Sequence, residues 1–355
     1  MRIKLWEWVV TILSFIMILY LYIIISYLGL EDFFQEGALK DYFNTNLWHL
    51  EIFISGISLG ILFILINHLT EKQVFRRKSF GFNILLKSAL YIIAVIIVFV
   101  LIYFIFLYAE LATVEQMKIY KRIVTSKPLL SFLVYYGSII LLMNFIHYVN
   151  TKFGQGSLID ILTGKYYHPR NEELIFLFLD LKGSTALAEK LGHNQYSRFL
   201  KECIHELTPI IQKYHARVYQ YVGDEVVLYW EIKDGLNQQN CLNAFFEFNS
   251  NLSQRKEYFM SKYGLAPEFK AGMDTGVITA TEIGDIKREI AFHGDVLNTA
   301  SRLEKKCNEF REKLIVSEHV SDQIHSNNRY HFKLLSDLPL RGKSENIKFY
   351  AVRNI

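Results

Sequence analysis

The reading of the fold turns on residues 218–230, VYQYVGDEVVLYW. Apolar and polar residues alternate up to Val222, the pattern of a half-buried strand, and the chain breaks at Gly223-Asp224 before a second apolar run begins. A Gly-Asp pair between two such runs predicts a hairpin, because glycine enters a tight turn without steric cost and aspartate bonds its own backbone there. The turn also sets two carboxylates, Asp224 and Glu225, side by side at the end of apolar strands.

Working outward, LIFLFLD (174–180) is a continuous apolar run closed by Asp180, as expected of a strand buried on both faces. KGSTALAEKLG follows as a turn and helix start, and a helix over about 194–214 leads into the hairpin. A helix over about 237–263 leads to EFKAGMDTGVITATEIG, read as a second hairpin turning at Thr275-Gly276. REIAFHGD is a strand, DVLNTASRLEKKCNEF a helix, KLIVS a strand and SEHVSDQI a helix. YHFKLLSDLPLRGKSENIKFYAV closes the chain as two strands around a glycine-containing loop. The order predicts an α+β domain, a mixed sheet with covering helices, over 174–355.

The first 150 residues are a different material. The 355-residue chain is 51% hydrophobic and 15% aromatic, and the surplus lies in four apolar runs at 8–29, 50–67, 84–109 and 129–149. Each approaches the ~20 residues that span a bilayer, which predicts an integral, multi-pass protein of the cytoplasmic (inner) membrane. The first run is too long for a signal peptide and lacks a small-residue cleavage site. Lys87 lies near enough to an end of its run to snorkel. Arg2 and Lys4 precede the first run; Glu31, Asp32, Glu36 and Asp41 follow it; Lys72, Arg76, Arg77 and Lys78 follow the second. That asymmetry puts the N-terminus and the second loop in the cytoplasm, against which the basic third loop (Lys118, Lys121, Arg122, Lys127) weighs slightly. Four spans return the chain to the cytoplasm. His49, His68 and His147 lie near run ends and read as interfacial residues ahead of a haem-ligating pair. Residues 151–173 form a linker in which 157–162 read as a short helix capped by Ser157.

A net charge of +4 without a basic, aromatic-interleaved arm excludes nucleic acid as the expected partner. Cys203, Cys241 and Cys307 lack CxxC spacing, which excludes a disulfide framework and a zinc site and fits a reducing compartment.

Four places carry chemistry. Asp180 precedes Gly183-Ser184-Thr185 at a helix N-terminus, where free N–H groups suit phosphate and a carboxylate suits a hard cation bridging phosphates. Asp224 sits at the hairpin turn. Asn298 and Arg302, at i and i+4, share a helix face. Arg341 and Lys343 flank Gly342 at a strand connection. Singly, each has a plain structural reading as cap, turn or solvated face.

Taken together, FLDLKGST, YQYVGDEV, GDVLNTASRLE and LRGKSENIKFYAV resemble the class III adenylate and guanylate cyclases in order and spacing, over about half the chain. The resemblance implies a homodimer with two active sites at the interface. Asp180 and Asp224 match the aspartates that hold two Mg²⁺ or Mn²⁺ ions. Asn298 and Arg302 match the pair that orients ribose and stabilises the pentavalent phosphorus from the other subunit. Arg341 falls where the family places a basic residue on the triphosphate. The base-reading positions depart from the family. Adenylate-specific members carry lysine four residues before the second aspartate and aspartate or threonine on a later strand, and guanylate members carry glutamate at the first. Here these positions hold Gln220 and Ala291. A glutamine amide can donate to adenine N1 and accept from N6, so ATP is the expected substrate and GTP the alternative. A diguanylate cyclase fits worse, because Val222 interrupts its Gly-Gly turn and NTASRLE has no place there. A catalytically inactive dimerisation or nucleotide-sensing module is the non-enzymatic alternative; loss of Asp180, Asp224, Asn298 or Arg302 would favour it, and all four are present.

Overall fold

A computed structural model describes residues 2–30, 47–70, 80–109, 113–114, 117–118, 127–153, 160, 163–286, 288–324, 329–339 and 346–355. The chain divides into two compact units, Met1–Val149 and Asn150–Ile355.

The first unit contains α1 (Arg2–Leu30), α2 (Leu47–Thr70), α3 (Phe80–Tyr108) and the start of α4 (Lys127–Phe153). Three stretches are long and apolar enough to cross a membrane: Trp8–Ser26, Trp48–Thr70 and Leu85–Tyr108. The apolar part of α4, Leu130–Ile146, is shorter, so the sequence's four runs yield three clear spans and one short apolar helix. Large apolar side chains such as Leu13, Met17, Leu85 and Val134 face outward, as a lipid-facing surface requires. Inside, α1 lies close on α2, where Gly56 and Gly60 sit under Ile16 and Ile12 in a small-xxx-small arrangement. Lys87 donates to Asn67 Oδ1 at 3.0 Å within the unit. His49 bonds the Tyr20 hydroxyl at 3.1 Å.

The second unit is built on a mixed sheet of β1 (Arg170–Leu181), β2 (Arg217–Val222), β3 (Glu225–Glu231), β4 (Phe269–Ile283), β5 (Glu289–His293), β6 (Leu314–Ser317), β7 (Tyr330–Pro339) and β8 (Asn346–Asn354). The order is β2-β3-β1-β4-β6-β8-β7, with β5 hairpinned onto the far end of β4 and only β4–β6 parallel. β1 lies between β3 and β4, which explains its uninterrupted apolar run. Its side chains alternate between two cores. Ile175, Leu177 and Leu179 join a core covered by α5 (Ser184–Lys213) and, after the short α6 (Ile232–Leu236), by α7 (Asn240–Gln254) and α8 (Lys256–Tyr263). Leu174, Phe176 and Phe178 join Phe292 and two residues of α9 (Asp295–Phe310), Val296 and Ala300, on the opposite face. A last short helix, α10 (Glu318–Ile324), follows β6.

The second hairpin is not where the sequence placed it. Thr275-Gly276 lie mid-strand in β4, paired with Ile175 and Leu174, and the turn comes only after Ile283. Glycine suits this mid-strand position because Val296 of α9 lies 3.1 Å from where a Cβ would stand. The single helix expected over 237–263 is divided into a 3₁₀ turn (Asn237–Gln239), α7 and α8. The expected helix at 157–162, apart from residue 160, and Arg341 and Lys343 lie outside the described residues.

One contact governs the α9 face. A Cβ on Gly272 of β4 would stand 2.1 Å from the Ala300 carbonyl oxygen and 2.2 Å from the Glu304 nitrogen. Helix backbone therefore lies directly on strand backbone. Gly272→Ala is expected to destabilise the second unit by about 1–3 kcal/mol or to prevent its folding, since neither backbone can step aside. Thermal unfolding of the detergent-solubilised full-length variant, followed through the buried Trp230, measures the loss.

Candidate active site

β1 and β3 are paired up to Leu179–Val226, so their next residues bring Asp180 to the β2–β3 turn that carries Asp224. The turn is tight, with Gly223 in the left-handed region at φ 61°. Asp180 continues the even-numbered face of β1, the face on which α9 lies, and its cross-strand partner on β4 is Lys270.

Lys270 links three elements. Its Nζ lies 3.0 Å from Asp180 Oδ2 and also bonds Glu304 Oε1 of α9. Lys270 and Glu304 keep 8% and 4% of their side-chain surface exposed, and Asp180 22%. Burial pushes the Asp180 carboxyl up to about 6; Lys270 opposes this, while the Glu304 and Asp224 charges add to it. Glu225 is likewise pushed up to about 6, first by burial and then by Glu304 and Asp180, with Lys305 offsetting part. The corner holds more negative charge than its one buried ammonium balances.

Asp224 Oδ2 is buried and has no hydrogen-bond partner among the described residues. A buried, unpaired carboxylate oxygen beside a second carboxylate fits a site for a hard divalent cation with oxygen ligands. No group of three or more His, Cys, Asp or Glu among the described residues is arranged to hold a metal alone. Such a cation would therefore take further ligands from phosphate oxygens or water. Ser184 opens α5 next to Gly183, with Thr185 exposed beside it. Tyr196 of the same helix bonds Ser184, and burial, then Asp224 and Asp180, raise its hydroxyl pKa.

Asn298 is exposed on α9, and Arg302, one turn on, has a buried Nη1 without a hydrogen-bond partner among the described residues. The other charges acting on Asp180 are Lys270, Glu304 and Asp224. One chain thus brings the two aspartates together and presents Asn298 and Arg302 on a helix nearby. Gln220 is exposed on β2 beside a bulge at Tyr219. The Tyr219 ring lies 4.8 Å from that of Phe292, whose N–H donates to the Tyr219 hydroxyl at 3.4 Å. Gln220 and buried Ala291 are the chain neighbours of these two rings, and Ala291 pairs with Thr281 of β4.

Sequence reasoning missed Lys270, Glu304 and Tyr196. Glu304 was within reach, two residues past Arg302 in SRLE; Lys270 reads as an ordinary strand-end lysine in EFKAGMD. A groove of about 500 Å³ bordered by Lys165, Arg170, Glu172 and Glu231 lies at the opposite end of β1 and belongs to none of this.

The adenylate and guanylate cyclase catalytic domain family model matches residues 166–354. The chain belongs to that family. Its second unit is 31% identical over 173 residues to adenylate cyclase 2 of Rhizobium meliloti (strain 1021), covering 49% of this chain and 48% of that protein. It is 23% identical over 187 residues to an adenylate cyclase of Anabaena cylindrica, covering 51% of this chain and 36% of that one. The chain therefore spans half or less of the length of these relatives. The structure of a bacterial light-regulated adenylyl cyclase superposes with a TM-score of 0.52 at 21% identity, over 62% of this chain and 64% of that one, a likeness of fold.

The Asp180 shift carries a stability consequence. An ordinary aspartate ionises near pH 4, so between about pH 4 and 6 the unfolded chain releases a proton that the metal-free fold retains. This group's contribution therefore falls as pH rises through that window and stays low above it. Asp180→Asn should stabilise the metal-free full-length protein at pH 7.5 by about 1–2 kcal/mol, discounted for partial exposure, and the gain should vanish at pH 4. Thermal unfolding with chelator present reads both values.

Proposed function

We propose that this protein is a membrane-anchored adenylate cyclase, converting ATP to 3′,5′-cyclic AMP and pyrophosphate. The observation that carries the reading is the convergence of Asp180 and Asp224, with a buried unpartnered oxygen on Asp224, in a chain of the cyclase family. The adenylate cyclase names of the R. meliloti and A. cylindrica relatives support ATP over GTP.

Asp180 and Asp224 would hold two Mg²⁺ or Mn²⁺ ions, which when bound lower the pKa of the ribose 3′-hydroxyl and neutralise the leaving pyrophosphate. The N–H groups opening α5 at Gly183, Ser184 and Thr185 face the phosphates. Arg341 and Lys343 would add positive charge at the triphosphate. Asn298 orients the ribose. Arg302 meets the charge that develops on the α-phosphate, and its guanidinium stays protonated through the reaction and forks onto oxygens. Its buried, unpartnered Nη1 suits a group awaiting an anion. Gln220 reads the base, and Ala291 adds no polar contact to it.

Two copies of the chain form the enzyme, with Asn298 and Arg302 of each serving the aspartates of the other. α1 to α4 would cross the inner membrane four times, with both termini in the cytoplasm.

Purified full-length protein with Mn²⁺ should convert ATP to cyclic AMP faster than it converts GTP to cyclic GMP. A folded dimer making neither cyclic nucleotide would overturn the assignment. Asp224→Ala should reduce the rate at least ~1000-fold without lowering thermal stability, since removing a metal ligand removes the transition-state charge balance. Gln220→Glu should move preference toward GTP, read as the ratio of kcat/KM values. Mixing Asp224→Ala with Arg302→Ala protein should restore part of the activity that each lacks alone; no recovery in confirmed heterodimers would refute the shared site.

A further inference from the structure

Among the described residues, Lys270 is the buried cation paired with Asp180, and its charge works against a metal cation there. Its Nζ already occupies Asp180 Oδ2 at 3.0 Å, and it is buried, so solvent cannot take over its place. Glu304 lies on its other side, nearly fully buried, on a helix fixed to β4 by the Gly272 contact. Asp180, Asp224 and Lys270 alone sum to a single negative charge; Glu304 restores two.

Resting on the reading of Asp180 as a metal ligand, we propose that Lys270 and Glu304 form a built-in counter-ion pair that sets the site's metal affinity. In the metal-free protein Lys270 satisfies Asp180; when a divalent cation takes the carboxylate, the ammonium withdraws onto Glu304. Glu304 is thus a positioning residue. It keeps a buried cation from competing for Asp180 without touching substrate. A buried ammonium that lost its only partner would be costly, so the exchange needs a second carboxylate in place beforehand. The arrangement also joins the metal corner to α9, two residues beyond Arg302.

Full-length protein in detergent, titrated with Mn²⁺ in the presence of 3′-deoxy-ATP, which cannot cyclise, reports binding through loss of the free-Mn²⁺ electron paramagnetic resonance signal. Glu304→Gln leaves Lys270 committed to Asp180, and the Mn²⁺ concentration for half-saturation should rise about tenfold, the effect of one uncompensated charge partly screened at this corner. The paired change Lys270→Met with Glu304→Leu removes both charges and should bind Mn²⁺ at least as tightly as the unmodified protein. Unchanged Mn²⁺ affinity in Glu304→Gln, or a paired variant as weak as Glu304→Gln, would overturn the proposal. Where Glu304→Gln does not fold, the paired variant decides alone, because it removes the buried ammonium together with its second carboxylate: weaker Mn²⁺ binding than the unmodified protein refutes, equal or tighter binding supports. Asp180→Asn is the control. Mn²⁺ binding unaffected by it would remove the metal-ligand assignment and this proposal with it. Protein that shows these Mn²⁺ shifts but forms no cyclic nucleotide would leave the proposal standing and remove only the proposed activity.

Discussion

The backbone-to-backbone contact between Gly272 of β4 and Ala300–Glu304 of α9 is the constraint from which the site follows. Any side chain at 272 would hold the helix away from the sheet. With the helix down, Cys307 Sγ reaches the Ala271 carbonyl at 3.2 Å, Val296 and Ala300 fill the second core, and Glu304 comes within bonding distance of Lys270. The same docking fixes which α9 residues remain free to act. Thr299, Ala300, Leu303, Glu304 and Cys307 face inward, leaving Asn298 exposed and Arg302 at the boundary.

The electrostatics of the corner run against ordinary stability. Burying carboxylates costs several kcal/mol unless each finds a partner. Here Lys270 is shared by two, Asp224 keeps an oxygen unmatched, and Asp180 and Glu225 are both pushed up to about 6. Elsewhere in the unit, acidic groups are matched in pairs at the surface, such as Glu247 with Lys213 and Glu202 with Lys262, and burial there is outweighed so that both carboxyls sit below the usual range. Among the described residues, the carboxyls pushed up in this way, Asp180 and Glu225, lie at one end of β1, which marks it as a site kept for ligands.

Much of this was legible in the sequence because it is periodic or local. The buried run 174–180, the Gly223-Asp224 turn and the i, i+4 pair Asn298 and Arg302 each follow from spacing alone. The failures share a cause, namely contacts between elements distant in the chain. Thr275-Gly276 looked like a turn because glycine usually breaks a strand, and it is extended because it pairs with Leu174 and Ile175, far earlier in the chain. Lys270 looked like a solvated strand end, and acquired its role from Asp180, paired by register, and Glu304, brought by helix docking. Nor does apolar composition separate α4, whose apolar stretch is shorter, from the three helices long enough to span.

The base-reading positions show the same limit from the other side. Residue types there were readable, and their geometry was not. The bulge at Tyr219 turns that ring onto Phe292 and leaves Gln220 on the exposed side of β2. A glutamine held this way is neutral and can present either end of its amide, so the residue type alone favours neither purine strongly. Under the proposed reading, discrimination falls to whatever fixes the amide's orientation. Ala291 offers no polar atom for that. The Tyr219 hydroxyl already accepts from the Phe292 N–H. A charged residue at 220 would fix the choice by itself; a glutamine leaves it to the surrounding geometry.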